Sequence, residues 1–145
     1  ADKGMFQVTL YDGIREAITE LKNLGCKVFV ATSKPEIYAR SIIQKCRLSE
    51  LFDFVGGSDT AEITRVKKED VIKYVLNENS IKDTDSCLMA GDRNYDIEGA
   101  HSAGIKCAAV LYGFGSRQEF EQAGADYIIA HPKELVKIVK DSFQN

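Results

Sequence analysis

The sequence predicts an α/β protein, a doubly wound, Rossmann-like parallel sheet covered by helices on both faces in three layers. Three observations predict it. Short apolar runs alternate with segments of helical period along the whole chain. Two of those runs, Lys27 to Thr32 (KVFVAT) and Lys106 to Leu111 (KCAAVL), are continuously apolar, as strands buried on both faces are. A third, Asp85 to Ala90, leads into Gly91-Asp92 and then into a helical segment opened by Asp96. That arrangement delivers a carboxylate at the C-terminal end of a strand, where open α/β sheets bind their ligands.

Each element has its own local signal. Phe6, Val8 and Leu10 alternate with polar residues, which suits a short strand or extended arm within residues 1–12. Ile14, Ala17, Ile18, Leu21 and Leu24 follow the helical period, and Gly25 is a suitable stop. Ser33-Lys34-Pro35 breaks the KVFVAT strand, and Pro35 suits the first turn of the helix whose inner face is Ile37, Ala39, Ile42, Ile43 and Cys46. A short strand is expected over Phe52 to Gly56, a polar loop over Gly57 to Thr64, and a helix over Val66 to Leu76. The helix after Asp92 should run from Asp96 to Ala103, closed by Gly104. Tyr112 to Ser116 is a glycine-rich loop, followed by a helix over Arg117 to Ala123, a strand over Tyr127 to Ala130 and a closing helix over Pro132 to Phe143.

The bulk composition narrows the function classes. A length of 145 residues suits one domain spanning 1–145 with a sizeable core. A net charge of −3 gives no reason to expect nucleic acid or an anionic membrane as partner. No apolar run approaches the length of a membrane span, and the first ten residues lack the zones of a signal peptide. Cys26, Cys46, Cys87 and Cys107 show no C-x-x-C spacing, which points to reduced thiols in a cytoplasm. His101 and His131 have no triad or ligand partner nearby in sequence and read as structural or solvent-facing.

Three chemical signals fall at expected strand ends. Thr32-Ser33, with Lys34 beside them, offer hydroxyls and a helix start to a phosphate oxygen, or simply cap that helix. Arg65, Lys67 and Lys68 open a helix, where cations oppose the helix dipole. They either form a solvated end or send a lysine into the site. Asp92 and Asp96, four residues apart, could share one small cation such as Mg2+, completed by water and phosphate oxygens. Hydroxyl, cation and acidic pair together suit phosphoryl chemistry.

With those residues in place, the chain resembles the haloacid dehalogenase (HAD) superfamily of hydrolases, in its phosphoglycolate-phosphatase-like branch. Ala31-Thr32-Ser33-Lys34-Pro35 resembles the family's second motif, with Thr32 as the phosphate-binding hydroxyl. Lys67-Lys68-Glu69-Asp70-Val71-Ile72 resembles the third, with Lys68 as the motif lysine and Lys67 as the alternative. Met89 to Asp96 resembles the fourth, with Asp92 as magnesium ligand and Asp96 supporting it, and Leu111 to Ser116 resembles a loop common in this branch. The resemblance implies a HAD-type core and Mg2+-dependent hydrolysis of a small phosphorylated metabolite through an aspartyl-phosphate. It makes Thr32 and Lys68 catalytic, Thr32, Ser33, Lys34 and Lys68 substrate-binding, and Asp92 and Asp96 metal-binding.

One departure is large. The family's first motif, Asp-x-Asp-Gly-Thr, supplies the attacking aspartate, and it does not occur in this sequence. Val8 to Gly13 mimics it, but the partner carboxylate would fall on Leu10, so Asp12 reads as a turn or capping residue. In the family the missing strand lies between those carrying the second and fourth motifs. Its absence leaves two apolar strand edges that soluble proteins avoid. A longer protein, a substitute strand from Phe6 to Leu10, or a second copy in a homo-oligomer would cover them. A fragment or truncated product, lacking also the cap that selects substrate, is the expectation. The competing readings are an inactive core that binds phosphate or a partner, and a receiver-like signalling module. The latter requires an early acidic cluster, which Asp2 and Asp12 do not supply.

Overall fold

The computed structural model describes residues 13–59 and 65–143. Five parallel strands carry the fold: β1 (Phe29–Pro35), β2 (Phe54–Ser58), β3 (Leu88–Gly91), β4 (Lys106–Val110) and β5 (Tyr127–Ile129). Six helices connect and flank them: α1 (Ile14–Asn23), α2 (Glu36–Lys45), α3 (Lys68–Glu78), α4 (Asn94–Ser102), α5 (Arg117–Ala123) and α6 (Lys133–Ile138). Strand β1 pairs with β2, and β3 with β4 and β4 with β5, all in parallel. The arm expected from Phe6 to Leu10, and Asp12 beside it, lie outside the described residues.

Alternation along β4 separates the two helical layers. Cys107 and Ala109 pack with Ile72, Ile97 and Phe120 of α3, α4 and α5. Ala108 and Val110 pack on the opposite face with Leu135 of α6 and Leu21 of α1. Helix α2 covers β2 through Ala39, Ile43 and Val55. The result is the expected three-layer α/β/α architecture.

The described strands form two sheets, β1-β2 and β3-β4-β5. Among the described residues, no ladder joins β1 to β3. A cavity of about 1010 Å³ lies there, lined by both strands and by side chains of α1, α3 and the chain's last turns. The four residues Cys107 to Val110 of β4 are buried, as a central strand requires, whereas no residue of β1 or β3 is. Among the described residues, the edges of β1 and β3 thus border this cavity without a strand partner on that side.

Several element boundaries differ from the sequence expectation. Strand β1 starts at Phe29, two residues late, because Val28 is held from the side: its N–H donates to the Asp53 carboxylate at 2.8 Å and its carbonyl accepts from Asp53 N at 2.8 Å. It also continues through Ser33-Lys34-Pro35, since β2 extends to Ser58 and pairs it with Pro35 across an irregular step. Helix α3 begins at Lys68 rather than Val66, with the Asp70 carboxylate accepting the Lys67 N–H at 3.3 Å. The expected start of β3 at Asp85 is instead a 3-10 turn, Thr84–Ser86, closed by the Asp83 side chain on Asp85 N. The closing helix stops at Ile138 and finishes as a π-helical turn, Val139–Phe143. Helix α5 and its left-handed Gly124 stop, with φ of 79°, match the expectation.

All four cysteines are free thiols, and only Cys107 is buried. Burial, and then the nearby Asp96 and Asp126 carboxylates, push the Cys107 thiol up to about 12. Its folded value lies above the usual one of about 8.5, so its contribution to stability is present below pH ~8.5 and is lost as pH rises toward 12. In native protein at neutral pH, a thiol-reactive probe is therefore expected to label Cys26, Cys46 and Cys87 while Cys107 reacts only after unfolding. Mass mapping of the labelled peptides checks this. Equal labelling of Cys107 in the folded state would show that the packing between β4 and its helices is wrong.

Candidate active site

The site is built where β1 and β3 end and α3 and α4 begin. Thr32, Ser33, Lys34, Lys68, Asp92 and Asp96 all line the same cavity. These six residues from the three motifs therefore border one cavity. Lys67, the alternative motif lysine, is the exposed N-cap of α3 and is not part of that lining. Arg65 turns elsewhere, with its Nε donating to Gly57 O at 3.1 Å and its guanidinium 3.7 Å over the Tyr74 ring.

Lys68 joins three elements. Its side chain is only 11% exposed, and its ammonium donates to the Ala31 carbonyl at the end of β1 at 3.1 Å. The same nitrogen lies 2.7 Å from Asp96 Oδ1. That contact is an ion pair without the alignment of a hydrogen bond, so Oδ1 is buried with acceptor capacity unused. A lysine has three N–H donors and the hydrogen bond to Ala31 uses one, so Lys68 keeps donor capacity for the cavity. Thr32 Oγ1 accepts from Lys34 N at 3.2 Å, which leaves its hydroxyl proton to donate.

Asp96 does most of its work on backbone. Its Oδ2 accepts from Asp92 N at 2.9 Å and Arg93 N at 3.2 Å, satisfying donors that the start of α4 would otherwise leave open. The approach is so close that a Cβ on Gly91 would fall 2.3 Å from Asp96 Cβ, so this position must be glycine. Asp92 is oriented separately. Its Oδ2 accepts from Phe114 N at 3.1 Å, and its carbonyl accepts from Gly115 N at 2.9 Å. Among the described residues, Asp92 Oδ1 carries no hydrogen bond.

The donor set tests the expectation of magnesium. Both carboxylates are hard oxygen donors: Asp92 Oδ1 carries no hydrogen bond among the described residues, and Asp96 Oδ1 is ion-paired with Lys68 at 2.7 Å. That chemistry fits Mg2+, which takes one or two protein carboxylates and fills its shell with water and phosphate oxygens. No group of three or more Asp, Glu, His or Cys that could enclose a metal exists among the described residues. An open two-carboxylate site suits a cation that also contacts substrate.

Four contributors escaped the sequence reading. The Ala31 carbonyl and the Phe114 and Gly115 amides are main-chain groups without a residue signature. Glu119 had a signal, since Ser116-x-x-Glu119 reads as a capping box. Ser116 Oγ does accept Glu119 N at 3.2 Å, but the Glu119 carboxylate turns away to Arg93 Nε at 3.0 Å and Asn94 N at 2.7 Å. The Arg93 hydrogen bond, with that from Asn94, holds the Glu119 carboxyl below the usual carboxylate range despite desolvation. His101, read as partnerless, pairs with Asp126 at 2.8 Å, a contact across 25 positions. His131 Nδ1 accepts Lys133 N at 3.1 Å.

The haloacid dehalogenase-like hydrolase family model matches residues 2–110. The chain belongs to that family. Among curated proteins, this HAD-like chain is 37% identical to a 5'-nucleotidase of Pseudomonas aeruginosa over 116 residues, covering 80% of this chain and 52% of that protein. It is 24% identical to a phosphoglycolate phosphatase of Pseudomonas syringae pv. syringae over 136 residues, covering 94% of this chain and 49% of that protein. A crystal structure described as a predicted phosphatase from Clostridium acetobutylicum superposes with a TM-score of 0.85 at 39% identity, covering 90% of this chain and 60% of that one. The HAD-like chain thus spans about half the length of the curated relatives it matches. No helix among the described residues is long and apolar enough to cross a membrane.

Proposed function

We propose that this chain is the phosphate- and metal-holding core of a magnesium-dependent phosphatase acting on a small phosphate monoester. The observation that carries the proposal is Lys68. Its buried ammonium is fixed between the Ala31 carbonyl and Asp96, in a cavity shared with Thr32 and Asp92. Asp96 offsets the charge of that ammonium, and a phosphate oxygen is the further acceptor that the lysine and the Thr32 hydroxyl together suit.

In this reading the Thr32 hydroxyl and a Lys68 N–H bind phosphate oxygens and stabilise the charge they gain in the transition state. Ser33 and Lys34 extend that anion-binding edge at the start of α2. Asp92 and Asp96 would hold the magnesium, which supplies Lewis-acid stabilisation of the phosphoryl group when bound. The attacking carboxylate, which would form the aspartyl-phosphate, comes from sequence outside these residues. The one Asp-x-Asp here, Asp83-Thr84-Asp85, lies before the opposite end of β3. The names of the nucleotidase and phosphoglycolate phosphatase relatives support a small phosphorylated metabolite. A cytoplasmic location agrees with the free thiols. Either an N-terminal segment or a second copy would close the gap between β1 and β3.

Inorganic phosphate titrated into the intact protein, followed by calorimetry, tests the anion site. Thr32→Val is expected to weaken binding roughly tenfold or more, the worth of a hydrogen bond to a charged group. If phosphate does not bind, or binds Thr32→Val as tightly as the parent, the site is not an anion site.

A further inference from the structure

We propose that the loop Tyr112–Ser116 and Glu119 form a positioning frame for the Asp92 carboxylate that sets how tightly the site holds its divalent cation. The inference rests on the reading of Asp92 as a metal ligand and assigns a role to the loop and to Glu119.

The frame is a closed circuit of contacts. Phe114 N donates to Asp92 Oδ2 at 3.1 Å, which fixes the rotation of the carboxylate and leaves Oδ1 as its unbonded oxygen. Gly115 N donates to the Asp92 carbonyl at 2.9 Å, so the loop grips both side chain and backbone of the same residue. The loop then passes into α5, whose cap Ser116 accepts Glu119 N at 3.2 Å. From α5, Glu119 reaches back to the residues that follow Asp92, accepting from Arg93 Nε at 3.0 Å and Asn94 N at 2.7 Å. In an ordinary capping box the glutamate would return to the amide of its own cap. Here the carboxylate serves the neighbouring helix start instead, which ties α5 to the end of β3.

Sterics close the circuit. A Cβ on Gly113 would lie 2.4 Å from Asp92 Cβ and 2.5 Å from its Oδ2. A Cβ on Gly115 would lie 2.5 Å from the Asp92 carbonyl oxygen and 2.5 Å from the buried Phe120 ring. Two glycines flanking Phe114 are therefore what lets the loop lie flat on Asp92. Groups that orient a metal ligand in this way usually govern metal affinity.

Mn2+ binding to the intact protein, read by electron paramagnetic resonance without substrate, tests the frame apart from turnover. Gly113→Ala and Glu119→Ala are each expected to weaken Mn2+ binding roughly 10- to 100-fold, while phosphate binding without metal stays within about twofold. Glu119→Gln keeps an oxygen for Asn94 N and is expected to recover part of the loss. Circular dichroism establishes that each variant is folded, and if Gly113→Ala does not fold, Glu119→Ala decides. Folded variants that bind Mn2+ as tightly as the parent overturn the frame while leaving the metal site standing. A parent protein that binds phosphate but no Mn2+ overturns the reading of Asp92 itself, and the frame with it.

Discussion

Replacing Asp92 with asparagine in a form of the protein that includes the attacking carboxylate is expected to lower magnesium-dependent hydrolysis of p-nitrophenyl phosphate by roughly 10²–10³-fold, the usual loss on removing one preorganised electrostatic group. Asparagine is nearly isosteric, and its carbonyl oxygen can still accept the Phe114 N–H that Asp92 Oδ2 accepts at 3.1 Å. The backbone clasp from Gly115 N is untouched. Fold and loop should therefore survive, and a urea midpoint close to that of the parent would show it. What disappears is the negative charge on the oxygen that carries no hydrogen bond. A hard cation loses one of its two proposed protein ligands, and raising the magnesium concentration should restore part of the rate. Turnover equal to the parent at limiting magnesium would remove Asp92 from the chemistry.

The sequence showed this residue because a Gly-Asp pair behind an apolar run is a local pattern with one geometric outcome, a carboxylate at a strand end. Thr32 was legible for the same reason, whereas Lys68 stood out only as one of a basic cluster at a helix start and through the family resemblance. The choice between Lys67 and Lys68 was not, because one step along the chain turns a side chain about 100° around the helix axis. Only the start of α3 at Lys68 decides which lysine faces Ala31 and Asp96. Strand limits were legible to within two or three residues. Apolarity marks where a strand can be buried, whereas pairing marks where it ends, and Pro35 pairs because Ser58 stands opposite. Contacts made by main-chain amides, or by Glu119 across 26 positions to Arg93, leave no periodic trace in a sequence.

Lys68 carries the other large expected effect. Its side chain is 11% exposed and that of its partner Asp96 is 5% exposed, so neither charge has water to fall back on. Lys68→Met, which keeps the stem and removes the ammonium, is expected to destabilise the fold by about 3–5 kcal/mol in urea titration, because Asp96 is left as an uncompensated buried charge. The double variant Lys68→Met with Asp96→Asn should recover a sizeable part of that loss. Its amide oxygen can still accept from Asp92 N and Arg93 N, the donors that Asp96 Oδ2 serves at 2.9 and 3.2 Å, and no buried charge remains. The recovery would concern stability alone: phosphate affinity should stay low in both variants, since the ammonium that meets the anion is gone from each. That divergence separates the two roles of the lysine. A double variant that regains phosphate binding along with its stability would show that Lys68 serves the fold and not the anion. A single variant as stable as the parent would show that Asp96 is solvated and the site more open than the packing of α3 against α4 describes.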